Sequence, residues 1–291
     1  MREVMPLVAV PNVSEGRDRG VIDAIGAAFA LQARLLDCHS DLDHHRSVFS
    51  LAGEPGSLAQ ALLAGAREAV ARIDLDDPRG AHPHVGALDV APIVHFTPEL
   101  RGAACAEALL TAELISSALE VPVFLYGALA GGRARADIRR GGRQGLQSRI
   151  VSGELTPDFG PHQLHPTAGA TLVAARPPLV AFNLELAAPA TLATAREIAD
   201  RIRVSGSIGA IAVELTSRGN IVQVSINVED PYATPLAAIV ERVAGYAPVA
   251  AGEIVGLVPR AALDGFPPEL ELRGFDRDRQ LAENALPLPF A

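Results

Sequence analysis

Leu179-Val-Ala-Phe-Asn-Leu-Glu-Leu186 decides the fold of the second half of this chain. Val180, Phe182, Leu184 and Leu186 fall on one side and Ala181, Asn183 and Glu185 on the other, the period of a half-buried strand. Downstream, Pro189 opens a helix with Leu192, Ala195, Ala199 and Ile202 on one face. Residues 208–215 and 221–228 read as strands joined by Thr216-Ser-Arg-Gly219, with glycine where a hairpin needs it. Thr234-Pro235 caps a helix that aligns Leu236, Ile239, Val240 and Val243, and residues 253–258 supply a last strand. The order is β-α-β-β-α-β, that of a ferredoxin-like subdomain.

The same grammar, in a different sequence, occupies the first half. Strand 7–10, helix 17–31, strands 33–38 and 46–51, helix 57–73 and strand 88–96 repeat the order, and helix 103–119 with strand 121–126 extends it. Residues 127–178 read as a basic, glycine-rich connector with one short helix near 143–150; so long a loop region is usually functional. The expected fold is α/β (α+β), two ferredoxin-like βαββαβ subdomains spanning residues 1–177 and 178–291. At 291 residues a single core has usually stopped growing, which favours the division.

Composition excludes several classes. With 34 acidic against 25 basic residues the chain lacks the footprint of a nucleic-acid binder, so an anionic substrate must be met by local arginines. Two cysteines, Cys38 and Cys105, make no disulfide framework and fit a reducing compartment. The first ten residues are too short, and too charged at Arg2 and Glu3, for a secretory or membrane segment, so a cytoplasmic protein with no membrane partner is expected.

The polar passage Arg79-Gly-Ala-His-Pro-His-Val-Gly-Ala-Leu-Asp89 precedes an apolar strand. It concentrates two imidazoles, a rigid proline and two glycines, the make-up of a loop that positions reactive groups. His82 is the first candidate for a base, because an imidazole exchanges protons near neutral pH. All eight histidines lie between His39 and His165, which places proton chemistry on the first half and its connector.

The chain resembles the glutamate formiminotransferases. Besides the His82 passage, the resemblance rests on Val10-Pro-Asn-Val-Ser-Glu-Gly-Arg17, Asp43-His-His-Arg-Ser-Val-Phe49 with Gly53-Glu-Pro55, and Pro157-Asp-Phe-Gly-Pro161 with Gly169-Ala-Thr171 and Ala175-Arg176. Val180-Ala-Phe-Asn183, Val222-Gln-Val-Ser225 and Val255-Gly-Leu-Val-Pro259 continue it in the family's order, over roughly residues 7–260. It implies a ligand cleft between the two sheets and transfer of a formimino group from N-formimino-L-glutamate to N5 of tetrahydrofolate, the co-substrate, with no metal. His82 matches the family's catalytic histidine. Gly160, Pro161, His162, Gln163, Leu164, His165, Pro166, Thr167, Ala168 and Gly169 match its folate-binding stretch, and Arg46 its arginine, suited to clamping a carboxylate. His39, His45, His84 and Asn183 are weaker substrate-binding candidates. Three of these depart from the family: His39 stands where several relatives carry aspartate, His45 replaces the usual asparagine and His84 a common arginine. The expected partners are small molecules, with room for a homodimer.

Two other readings compete. A metal-dependent hydrolase would use His82, His84 and Asp89, with Asp43, His44 and His45 in support, although Pro83 restricts that segment. A folate-binding relative without turnover would explain the departures at positions 39, 45 and 84. Tail residues 260–291, interrupted by Pro267-Pro268, Pro287 and Pro289, are too few for a separate helical core, so a monofunctional transferase without a cyclodeaminase domain is expected.

Overall fold

A computed structural model of the chain describes residues 6–76, 80–204 and 206–286. Arg79, Pro287 and Pro289, and the first five residues of the leader reading, lie outside the described residues. The chain divides between Pro177 and Pro178 into two units.

In the first unit, β1 (Leu7–Ala9) and β2 (Asn12–Val13) form one interrupted strand. Helix α1 (Arg19–Phe29), β3 (Arg34–Asp41), β4 (Arg46–Gly53), α2 (Ser57–Arg72) and β5 (Leu88–Val94) follow. The interrupted strand lies antiparallel between β4 and β5, and β3 flanks β4, so the first motif has the 4-1-3-2 strand order of a ferredoxin-like fold. Helix α3 (Arg101–Leu119) then crosses to β6 (Val123–Leu125). The helical segment Pro98–Leu119 is long and apolar enough to cross a membrane, but its Ala104, Ala108, Ala112 and Ile115 are buried in the core with Phe29, Leu58 and Leu62.

The 127–178 connector is where the sequence reading needs correction. It holds α4 (Arg135–Arg139), α5 (Gly142–Val151) and a further strand, β7 (Thr171–Arg176), inserted parallel between β5 and β6. Strand β7 was missed because both of its faces are buried, which removes the polar alternation. Val173 and Ala175 join the main core, whereas Leu172 and Ala174 pack against Ile138, Leu146 and Ile150 of α4 and α5. The connector therefore builds a small third layer over the sheet.

The second unit comprises β8 (Val180–Leu186), α6 (Leu192–Ile202), β9 (Ile208–Leu215), β10 (Ile221–Val228), α7 (Leu236–Ala244) and β11 (Val249–Val255). Its antiparallel order β11-β8-β10-β9 is again 4-1-3-2. The predicted alternation holds: Val180, Phe182, Leu184 and Leu186 pack with Ile198, Ile239 and Val243 of the helices. Helix α6 starts three residues beyond Pro189, capped by Thr191, whose hydroxyl accepts from the Thr194 amide at 3.2 Å. The described part of the tail is no loose extension. Gly252 donates to Glu271 and accepts from Arg273, both at 2.8 Å, which covers the open edge of β11, and Leu281 enters the core.

One buried charge is a structural device. Helix α2 begins at Gly56 with no cap of its own; Glu107, on α3 and 3 % exposed, accepts from the Gly56 amide at 2.5 Å and the Ala59 amide at 2.7 Å. A carboxylate at a helix N-terminus satisfies orphan donors and meets the positive end of the dipole. We expect Glu107→Ala to cost about 1–3 kcal/mol, from the lost cap and unsatisfied amides, in urea unfolding.

Candidate active site

The turn from β3 to β4 is fixed by its own side chains. Asp41 Oδ1 accepts from the amides of Asp43 (2.8 Å) and His44 (2.6 Å), and His45 adopts a left-handed conformation with φ 52°. The segment bearing His82 docks here: the Ala81 amide donates to Asp43 O at 2.9 Å. Gly80 is required for that approach, because its φ is 96° and a Cβ would stand 2.6 Å from the His44 carbonyl. The other motifs converge on the same place. Ser14 Oγ donates to Gly86 O at 2.7 Å, Ser47 Oγ to Glu15 O at 2.6 Å, and a Cβ at Gly16 would lie 2.1 Å from Asp41 O.

His82 and Arg46 meet directly, Arg46 Nη1 donating to His82 Nε2. A guanidinium has no lone pair to offer, so Nε2 must be the unprotonated nitrogen. The His44 ring lies 6.1 Å away, centroid to centroid. Burial above all, then the charges of Arg46 and Arg139 and the nearby His44, hold His82 well below its ordinary pKa of 6.5; a contact with the Pro83 backbone opposes them. Arg46 is itself pushed down to about 9, first by burial and next by Arg139, with Asp89 opposing and Arg135 adding to the strain. Asp89 is buried on β5, bonded to Arg139 and accepting from the Val85 amide at 2.8 Å. Arg149 holds α4 in place by donating to the carbonyls of Asp137 (2.9 Å), Ile138 (2.5 Å) and Arg140 (3.0 Å).

The remaining candidates divide. His84 Nδ1 donates to the His82 carbonyl at 3.1 Å and so shapes the segment. His45 turns to the entry of α1: its Nδ1 accepts from the Gly16 amide at 3.2 Å and lies 3.4 Å from Glu15. His39 sits opposite Val48 on the edge strand β3 and is not among the main influences on His82. Asn183, in the second unit, donates to Glu253 at 2.9 Å on the sheet face that also carries Glu185, paired with Arg218 and Arg273.

The 160–169 stretch is stitched to the His82 segment rather than hanging as a linker. Ala168 O accepts from the Ala87 amide (2.9 Å), Val85 O from the Ala170 amide (3.0 Å) and Thr167 O from the Leu75 amide (3.0 Å). Pro166 O accepts from Arg143, the Leu164 amide donates to Gln147, and His165 exchanges backbone bonds with Gly169 while its Nδ1 accepts from the Ala168 amide. Gly160 and Gly169 take φ of 84° and 69°. Pro161 is half-buried, and His162 and Gln163 point to solvent. Among the described residues no group of three or more His, Cys, Asp or Glu is arranged to hold a metal; Asp89 is engaged by Arg139.

Sequence reasoning missed Arg139, Arg135 and Tyr126. Arg135 stacks over the Tyr126 ring, 5.6 Å from its centroid. The available signal was Asp89, a carboxylate within an apolar strand, which had to have a cationic partner somewhere.

A chain with two ferredoxin-like motifs, the first carrying an imidazole bonded to an arginine, defines a class: a two-unit α/β protein. Residues 6–176 match the family described as "Formiminotransferase domain, N-terminal subdomain". The chain is 36 % identical to the glutamate formimidoyltransferase of Streptococcus pyogenes serotype M1, over 95 % of this chain and 97 % of that protein. It is 33 % identical to that of Thermoplasma acidophilum, over 92 % and 93 %. It is also 35 % identical to the formimidoyltransferase-cyclodeaminase of Gallus gallus, with 87 % of this chain matching 50 % of that longer protein. The chain belongs to the formiminotransferase family.

The depressed pKa gives His82 a signature in stability. Below pH 6.5 the unfolded chain takes up a proton that the folded imidazole still refuses, so stability falls with acidification until the folded group protonates as well. Wild type should lose about 1 kcal/mol per pH unit relative to His82→Gln as pH drops from about 6.5, measured by urea unfolding at stepped pH.

Proposed function

We propose that the protein transfers the formimino group of N-formimino-L-glutamate to N5 of tetrahydrofolate, giving 5-formiminotetrahydrofolate and glutamate, a step of histidine degradation. The observation that carries the reading is the unprotonated His82 Nε2 against Arg46, in a chain 36 % identical to a glutamate formimidoyltransferase over 95 % of its length.

The chemistry follows from the atoms. N5 attacks the amidine carbon and a new carbon–nitrogen bond forms. His82 Nε2 takes the N5 proton and then delivers it to glutamate's nitrogen as the old bond breaks, one imidazole serving as base and then acid. A pKa below the ordinary value keeps the imidazole neutral and ready at physiological pH. Arg46 carries the charge that a substrate carboxylate requires.

Tetrahydrofolate is assigned to the 160–169 stretch. Two left-handed glycines and the bonds to residues 85, 87, 143 and 147 hold that loop stiff beside the His82 segment, with His162 and Gln163 free to meet a polar pterin edge. No metal enters the reaction, and small molecules, rather than nucleic acid or membrane, are the partners. A cytoplasmic location is proposed. The metal-hydrolase reading is not favoured, since Asp89 already has a cationic partner.

His82→Ala should lower turnover by about two to four orders of magnitude while leaving folate affinity nearly unchanged. Formation of 5-formiminotetrahydrofolate is followed spectroscopically, and folate binding by fluorescence titration. Activity within a few fold of wild type would remove His82 from the chemistry.

A further inference from the structure

Three features around His82 fall outside the reaction as described so far. Arg46 touches the very nitrogen that must accept a proton, so in the free protein the base's lone pair is occupied. Arg46 and Arg139 each bury a guanidinium Nε that has no hydrogen-bond partner among the described residues, and the Tyr126 hydroxyl does the same on a residue only 6 % exposed. Tyr126 packs with Ile138, the neighbour of Arg139, and lies under Arg135 of the same helix, and both Tyr126 and Arg139 act electrostatically on Arg46. Buried donors are normally satisfied, and three that are not, two of them on guanidinium groups, describe a seat for an anion.

The donor's covalent structure says which anion. In N-formimino-L-glutamate the α-carboxylate sits on the carbon bonded to the departing nitrogen. If His82 is to hand a proton to that nitrogen, the α-carboxylate must lie beside His82, where Arg46 is; the γ-carboxylate, two methylenes further out, need not. We propose that Arg46, Arg139 and Tyr126 form the seat for the donor's α-carboxylate, and that seating it draws Arg46 off His82 Nε2, releasing the base only when donor is bound. This assignment rests on the formimino-transfer reading of the same site.

The exchange balances in hydrogen bonds. The Arg46 Nη1–H bond to Nε2 is replaced by a charge-assisted bond to a carboxylate oxygen, the stronger of the two. The freed Nε2 then has its lone pair directed at the N5 proton. The carboxylate also offsets the positive field at His82, to which Arg46, Arg139 and His44 contribute, while Arg139 and Arg135 act on Arg46 against the opposing charge of Asp89. Arg139 and Tyr126 thus act as binding and positioning residues.

Nitrogen-15 spectra of the imidazoles in the full chain test this, with the His82 signal assigned by its loss in His82→Gln. N-acetyl-L-glutamate is the probe: it has the donor's carbon frame and both carboxylates but no formimino group to transfer. Saturating probe should raise the His82 titration midpoint by about one pH unit, a tenfold gain in proton affinity. Tyr126→Phe should weaken probe binding about tenfold, and Arg139→Gln at least as much. Arg139→Gln leaves Asp89 without its partner and can fail to fold; Tyr126→Phe leaves no charge unpaired and decides the matter alone. Unmoved titration at saturating probe, or undiminished affinity in folded Tyr126→Phe, would overturn the proposal. A shift produced by p-aminobenzoylglutamate, the folate tail, and not by N-acetylglutamate would overturn its assignment to the donor. Transfer by wild type is assayed separately. A midpoint shift without transfer would sink the reaction and leave the seat standing, whereas transfer without a shift would do the reverse.

Discussion

The buried carboxylate of Asp89 is the constraint around which the first unit is arranged. It sits near the start of β5, accepts the Val85 amide and pairs with Arg139, so one side chain fixes the end of the His82 segment and draws α4 onto the sheet. A charge this deep is tolerable only when paired and hydrogen-bonded, and removing its partner would leave it stranded at a cost of several kcal/mol. That stake is what makes the placement of Arg139 specific. Arg139 in turn raises the positive potential around Arg46 and His82 and helps keep the imidazole neutral. A structural ion pair thereby sets the electrostatics of the site.

The same economy of connections explains why motifs far apart in sequence form one place. Gly16 allows the 10–17 segment to lie against Asp41, Gly80 allows the His82 segment to lie against His44, and Gly169 packs its backbone so close to Val85 that a Cβ would lie 2.0 Å from the Val85 carbonyl. At each point a backbone approaches more closely than any side chain permits. Close contacts of backbone on backbone leave little room for adjustment, which fixes the backbone positions from which His82 and Arg46 project.

The second ferredoxin-like motif was legible from residue type: Val180, Phe182, Leu184 and Leu186 alternate with Ala181, Asn183 and Glu185, and the covering helices carry apolar faces. Strand β7 was not, since burial on both sides erases the alternation, and its place between β5 and β6 depends on parallel pairings that no local signal encodes. The site shows the same division. His82 and Arg46 could be nominated from residue type and motif. Arg139 and Tyr126 could not, because α4 is too short to show a period and its position over the sheet is set by Ile138, Leu146 and Ile150 packing on β7. The 160–169 loop was legible only through its resemblance to the family's folate-binding stretch; the bonds of residues 167, 168 and 170 to residues 75, 85 and 87 are tertiary.

The departures from the family pattern acquire physical meaning from where they fall. Position 45 has φ 52°, a left-handed conformation that asparagine and histidine both enter more readily than most residues. Exchanging asparagine for His45 therefore preserves the turn that aims Arg46, and the imidazole is spent on Gly16 and Glu15. His84 bonds its own segment at His82 O, while His39 lies on the edge strand β3. None of the three belongs to the group of Arg46, His82, Asp89 and Arg139. A protein that had kept a folate fold and abandoned chemistry would be under no constraint to hold a half-buried, depressed arginine against a histidine, since that arrangement costs stability and returns nothing to binding alone.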